Sequence, residues 1–182
     1  MVTPLGVAQE FTVYVEGQSQ MNPADRTALV EFQQKVARLQ RAVTGALETT
    51  NQLKTRLALI KRALQETPTA DFKLTQDAQA IERKLDDLLR ALRGDQTARS
   101  RNQDTPPSIS DRVGTILGEQ RMSTSHPTRT QQEHYAAAAA DFEAALAGLR
   151  SLVEGDLARL EKAMEAAGAP WTPGRIPEWT NN

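Results

Sequence analysis

Residues 29–64, LVEFQQKVARLQRAVTGALETTNQLKTRLALIKRAL, carry a seven-residue repeat that decides the fold. One series of positions recurs every seven residues, and a second series follows it at a distance of three. The first series is Leu29, Val36, Val43, Thr50, Leu57 and Leu64, and the second is Phe32, Leu39, Ala46, Leu53 and Ile60. Ten of these eleven positions are apolar. The repeat therefore predicts one apolar seam along a helical rod of about 60 Å, which needs helical partners over its whole length.

Helix start and stop signals around this repeat predict four helices. Asn22, Pro23 and Asp25 are typical of a helix N-terminus, whereas Thr67-Pro68-Thr69 ends the first helix. The predicted helices cover residues 23–66, 70–93, 109–120 and 129–167. Since few residues separate the first two helices, they should fold back on each other as a hairpin. We therefore predict a mainly α fold, an up-and-down antiparallel helical bundle of three long helices plus a short one.

Two terminal segments are predicted to lie outside the bundle, so that the chain divides at 1–20, 21–168 and 169–182. In the leader, Phe11, Val13 and Val15 alternate with polar residues before Gly17, which predicts a β-strand. An isolated strand leaves its backbone groups unpaired. We expect it to be the last strand of an upstream β-domain; a loosely packed leader is the alternative.

The C-terminal tail, residues 169–182, contains three prolines and both tryptophans of the chain, so the sequence predicts an extended segment. Tryptophan is large and apolar, and its exposure on a free terminus lowers solubility. We expect at least one of the two to dock, either between helices or on a neighbouring domain. The candidate interaction residues are Trp171, Arg175, Ile176 and Trp179.

Composition and charge exclude several classes of function. The 182 residues include 22 basic and 23 acidic side chains and no cysteine. A net charge of −1 gives no general attraction to nucleic acid or to an anionic membrane. Because the chain has no cysteine, disulfides and thiolate chemistry are impossible. No apolar stretch approaches the roughly 20 residues of a membrane-spanning helix. Residues 1–10 also lack the pattern of a targeting signal.

The sequence predicts no catalytic, cofactor-binding or metal-binding residue. His126 and His134 are not spaced to share one helical face with further ligands. The nucleophile-elbow motif and the glycine-rich phosphate loop are absent. The paired carboxylates that glycosidases use could come from acidic residues on the helices, but these lie among arginines and lysines, as on any solvated helix face. They are Asp86, Asp87, Glu154, Asp156 and Glu161.

Three segments carry a family resemblance: FTVYVEG at 11–17, STSHPT at 123–128 and GAPWTPGRIPEW at 168–179. In this order, and separated by long helices, they resemble the C-terminal region of bacterial proteins with sortilin-like (VPS10-type) BNR or Asp-box β-propellers, which are often labelled glycosyl hydrolases. The resemblance implies a helical appendage behind a propeller and a small β-domain, in a secreted or periplasmic protein. The propeller motif Ser-x-Asp-x-Gly-x-x-Trp is absent from this chain, so no hydrolase activity is carried over.

The leading hypothesis is a non-catalytic helical module that braces a propeller-bearing protein or mediates protein association, with a homo-oligomer as one form. The alternative is an accessory part of a propeller-type glycosyl hydrolase, or of another hydrolase, whose active site lies elsewhere. As a hydrolase subunit, the chain would instead contribute residues such as His126 or Glu133 to an active site completed by another chain. A third hypothesis is a free-standing coiled-coil adaptor whose seams pair between chains.

Overall fold

The computed structural model describes residues 6, 9–13, 21–176 and 179. The helices are α1 (Pro23–Gln65), α2 (Phe72–Arg93), α3 (Gln96–Ser100), α4 (Ile109–Met122), α5 (Arg129–Arg150), a π-helical segment (Ser151–Leu157) and α6 (Ala158–Ala166). The predicted mainly helical class is confirmed. The described residues contain no strand; residues 11–13 of the predicted strand are irregular, and residues 14–17 lie outside the described ranges. In the part of the chain described, no helix is both long and apolar enough to cross a membrane.

Helix α1 buries the predicted seam. Of the eleven repeat positions, ten are buried and only Leu29 is half-exposed. Thr50, the polar exception, is fully buried, and its hydroxyl donates to the carbonyl oxygen of Ala46 at 2.6 Å. Because this bond within the helix satisfies the hydroxyl, a threonine can stand in the core without an unpaired donor.

Side-chain contacts fix the direction of the helices relative to α1. Lys54 contacts Asp86 at 2.7 Å and Lys61 contacts Glu82 at 2.8 Å, so residue numbers fall along α2 as they rise along α1. The two helices are therefore antiparallel. The third rod, formed by α5, the π segment and α6, runs parallel to α1. The rings of Phe32 and Tyr135 lie 5.8 Å apart near one end, and Arg56 contacts Glu161 at 2.5 Å near the other.

The short helix α4 contacts α1, α2 and α5. It packs against the middle of α1, where Gln40 and Leu47 line one cleft together with Ser110 and Leu117. Its end is joined to α5 by a short turn, and the start of α5 lies beside the N-terminal part of α1.

The crossover between α2 and α4 is an anchored loop that contains the short helix α3, which the sequence does not predict. Arg99 of α3 contacts the carboxylate of Asp111, and the Ser108 hydroxyl and N–H donate to the same carboxylate oxygen at 2.7 and 2.8 Å. Burial raises the pKa of the Asp111 carboxyl, but these hydrogen bonds and the charge of Arg99 outweigh it, so the pKa lies below its ordinary value. The capping box of α4 therefore also holds the crossover.

The π segment corrects the phase of the third rod. Buried residues up to Leu152, the second residue of the segment, follow the helical spacing of three and four, whereas the next buried residue, Leu157, comes five positions later. The series is Ala138, Phe142, Ala145, Leu149 and Leu152, then Leu157, Leu160 and Met164. One extra residue would turn the rest of an α-helix by about 100°. The wider π turn absorbs that residue and keeps Leu157 in the core.

Candidate interaction surface at the C-terminal tail

The tail turns back onto the bundle directly after α6. The N–H of Ala169 donates to Met164 at 3.0 Å, and Gly168 adopts the left-handed φ of +70° that this helix end requires. The hydroxyl of Thr69, between α1 and α2, donates to the carbonyl of Ala167 at 2.8 Å. The helix end and the α1–α2 connection are thereby joined, and Ala169 is buried as part of the hydrophobic core.

Arg175 holds the tail through both its charge and its flat face. One terminal nitrogen donates to Glu165 at 2.5 Å, and the other donates to the carbonyl of Pro170 at 3.3 Å. The guanidinium carbon lies 4.5 Å from the centre of the Trp171 ring, a cation–π contact. With only 4% of its side chain exposed, Arg175 uses its donors and its π face within the chain.

Arg56 of α1 forms a second anchor. Its terminal nitrogen donates to Glu161 at 2.5 Å and to the carbonyl of Gly174 at 3.0 Å, so one side chain ties α1, α6 and the tail together. Gly174 has a φ of +91°, and a Cβ placed there would lie 2.7 Å from the guanidinium carbon of Arg56. Both the backbone conformation and the close approach therefore require glycine. We call the set Arg56, Glu165, Trp171, Gly174 and Arg175 the tail latch.

The four predicted interaction residues fall into two pairs. Trp171 and Arg175 contact each other inside the tail latch, where Trp171 remains 41% exposed. Ile176 and Trp179 follow the latch and are 87% and 80% exposed. The sequence gives no signal for Arg56, because its bond to Gly174 joins residues 118 positions apart. Glu161 and Glu165 have i,i+4 spacing and therefore lie on one face of α6. This spacing does not predict which residues that face contacts.

A groove runs along α2. Its larger part lies between α2 and α6, on the side of α6 opposite to the tail latch, and its smaller part lies between α2, the end of α5 and the π segment. Its two adjoining parts enclose about 510 and 380 Å³ and share Lys84 and Asp156. We call it the α2–α6 groove. Apolar side chains, all buried or half-buried, form the floor of the larger part: Leu74, Ala80, Ile81, Leu160 and Ala163. Asp156 contacts Lys84 at 2.5 Å and also contacts Arg159, so charged groups form the rim.

The residues considered for hydrolytic chemistry do not form a reactive cluster with one another. The Nδ1 atom of His126 lies 3.0 Å from the Pro127 carbonyl in an exposed loop. Glu133 pairs with Arg129 at 2.7 Å on the solvent side of α5. Among the residues that the structure describes, no three histidine, aspartate or glutamate side chains are grouped so as to hold a metal ion.

Gly174→Ala is expected to open the tail latch. The left-handed φ costs a residue with a Cβ about 1–2 kcal/mol, and the new methyl group must also displace Arg56. Trypsin should then cleave after Arg175 much faster than in the original chain, since cleavage needs the side chain that the latch buries. Gly45→Ala is the matched control, because a Cβ there meets nothing within 4 Å. Equal cleavage rates in the two variants would contradict the assigned role of Gly174.

Comparison with known proteins adds no further feature to this surface. No family model matches the chain, and no curated protein and no solved structure matches it either.

Proposed function

We propose that this chain is a non-catalytic helical interaction module, appended to a sortilin-like β-propeller protein, which it braces or joins to a partner. One observation carries the proposal: the chain fills its own apolar seams, yet its tail is anchored so that Ile176 and Trp179 stay outside the core. Exposed large apolar side chains are typical of binding surfaces.

The filled seams favour an internal brace over a free-standing coiled-coil adaptor. An adaptor needs apolar seam positions that remain uncovered for a second chain. Here the seam of α1 faces α2, α4 and the third rod, and the helices are bridged along their flanks, by Lys61 to Glu82 on one side and by Arg56 to Glu161 on the other. In the proposed bundle, three rods support one another, and the short helix extends the second.

The tail latch supports binding because it lowers the entropy lost on association. A free tail must be ordered when it binds, at a cost of about 0.5–1.5 kcal/mol for each immobilised side chain. Three contacts to Arg175 and one to Gly174 already order the chain up to the residue before Ile176. The latch therefore presents Ile176 at a defined place on the bundle.

At the other end of the chain, we propose that the leader completes a sheet of the upstream β-domain. The side chains of Phe11 and Val13 are almost fully exposed. Burial of one face of such a segment against a sheet would stabilise the junction, because two apolar side chains leave water and the backbone groups find partners.

The test compares Trp179 in two settings. Trp171→Phe removes the other tryptophan of this chain and keeps a ring face for Arg175. With 7-azatryptophan incorporated into this chain only, the emission of position 179 can be excited apart from the tryptophans of the added domains. Emission should shift to shorter wavelength when the preceding domains encoded by the same gene are present, because the indole leaves water. Unchanged emission in their presence would contradict docking. A gene without a propeller-coding stretch before Met1 would refute the appendage, and a hydrolytic turnover abolished by one substitution would refute the non-catalytic assignment.

A further inference from the structure

The apolar pattern of the third rod fits a second arrangement besides the one that the structure adopts. The observed arrangement buries one series of side chains up to Leu152 and uses the wider π turn to reach Leu157. A second series keeps the helical spacing of three and four throughout: Tyr135, Ala139, Phe142, Leu146, Leu149, Val153, Leu157, Leu160 and Met164. We propose that α5 exchanges between two registers on its neighbouring helices, the observed one with the π segment and a second one in which the whole rod is α-helical.

The second register differs from the first by a defined rotation of α5. When the π turn becomes α-helix, one more residue contributes to the helix, so α5 turns by about 100° about its axis and advances by about 1.5 Å. Helix α6 and the tail latch stay in place, because they follow the segment that changes. Phe142 and Leu149 belong to both series and stay in the core. The side chains that leave the core are Ala138, Ala145 and Leu152, and those that replace them are Ala139, Leu146 and Val153.

The side chains that enter the core in the second register already lie beside it. Three of them are half-buried and packed against the core in the structure: Ala139, Leu146 and Val153. The ring of Tyr135, the first member of the second series, lies 5.8 Å from that of Phe32 on α1. Two of the three side chains that leave are alanines, so their exposure to water costs little apolar area. The rotation therefore exchanges one apolar face for another.

Only this sense of rotation keeps an apolar face towards the core. A turn in the opposite sense would bring Asp141 and Ser151, which are exposed, to the core side of α5. Burial of an unpaired carboxylate is costly, so the sequence excludes that register. The apolar residues on one flank of the observed seam, with polar residues on the other flank, thus define a single alternative.

Opposing contributions to the free energy keep the two registers close to each other. The observed register is favoured by close packing at Gly148, where an added Cβ would lie 3.3 Å from the side chain of Leu88. The contact of Lys84 with Asp156 also holds the π segment to α2. The second register is favoured because it replaces the rare π geometry by ordinary α-helix and buries larger side chains. Two packings of one sequence that differ little in free energy are both populated.

The exchange gives the chain a switch that acts on the surface of α5. The second register brings Leu152 to the outside and takes Leu146 inside, while the surface of α6 is unchanged. A partner that binds α5 in one register only would shift the population towards that register. The exchange itself needs no partner, so the inference is independent of the proposed function.

Thiol labelling of single-cysteine variants under native conditions measures the exchange, since the chain has no cysteine of its own. Ala145→Cys places the thiol at a site that is buried in the observed register and exposed in the second. This thiol should react about tenfold faster, or more, than global unfolding of the same variant allows. Leu149→Cys is the matched probe, because position 149 is buried in both registers. Its labelling should require global unfolding.

Deletion of Gly155 provides the second arm of the experiment. It removes the extra residue, so that an all-α rod keeps Ala145 in the core and the second series falls out of phase after Val153. Labelling of Ala145→Cys in this background should fall to the rate that global unfolding sets. If the deletion variant does not fold, the comparison of positions 145 and 149 decides alone.

Three results would overturn the proposal. The first is labelling at position 145 that is no faster than global unfolding allows. The second is equally fast labelling at positions 145 and 149, which would mean local unfolding of α5 instead of rotation. The third is fast labelling at position 145 that survives deletion of Gly155. Circular dichroism melting shows which variants fold, and Ala138→Cys, at another position buried only in the observed register, is the second probe.

Discussion

Leu57→Asp is expected to unfold the chain. Leu57 is 2% exposed and lies in the seam of α1, inside the core formed with α2 and the third rod. An aspartate there places an unpaired charge or an unsatisfied carboxyl group in an apolar environment, which costs several kcal/mol. That penalty is comparable with the whole free energy of unfolding of a typical domain, about 5–15 kcal/mol. The far-ultraviolet circular dichroism signal should lose its helical form, or its cooperative melt should disappear.

Leu59→Asp is the matched control for this prediction. It makes the same substitution two residues away in the same helix, at a position that is 39% exposed and outside the seam. The aspartate can reach water there, so the loss should stay near the roughly 0.5 kcal/mol that is typical of surface positions. If Leu57→Asp melted cooperatively at the temperature of the control, Leu57 could not be a core residue.

The fold of α1 could be predicted because its repeat is long and regular. A seven-residue spacing kept over eleven positions leaves only one face that can be buried, and ten of those positions are buried. The short connection to α2 then permits only a hairpin. In this part of the chain, local pattern and tertiary packing require the same arrangement.

The third rod was harder to predict because its pattern is ambiguous. The spacing alone favours Ala139, Leu146 and Val153 as core residues, but Ala138, Ala145 and Leu152 are the buried ones. The run of five alanines at 136–140 gives no apolar contrast from which to choose a face. From Leu149 the sequence pattern reaches Leu157 through Val153, in two steps of four residues. The structure instead buries Leu152, three residues after Leu149 and five before Leu157.

The candidate site could be predicted only in part, for a different reason. Proline and tryptophan mark the tail as unusual, but no sequence pattern tells which side chains it contacts. Arg175 was a candidate for binding a partner, and the structure shows it bound to Glu165 and Trp171 of the same chain. Contacts between residues far apart in sequence, such as that of Arg56 with Gly174, follow from packing and leave no local signal.

Deletion of Gly155 is expected to be tolerated, although it removes a residue from the middle of the third rod. The π segment accommodates one residue more than the helical spacing needs between Leu152 and Leu157. Without Gly155 these two leucines would be four positions apart, so an ordinary α-helix would keep both in the core. The chain should retain a cooperative melt, with a change in the free energy of unfolding of no more than about 1 kcal/mol.

Deletion of Gly45 provides the control, since both glycines lie in helices and a Cβ at either position meets nothing within 4 Å. Helix α1 has no extra residue to lose. Deletion of Gly45 turns the seam residues that follow it by about 100° relative to those that precede it. This exposes side chains such as Leu53 and Ile60 and should abolish cooperative folding. Comparison of the two deletions therefore shows whether the π segment holds one residue that the helix does not need, or whether any helix of this chain tolerates the loss of a residue. If deletion of Gly155 unfolded the chain as completely as deletion of Gly45, the π segment would be needed for its own contacts, including the one between Asp156 and Lys84, and not for the phase of the helix.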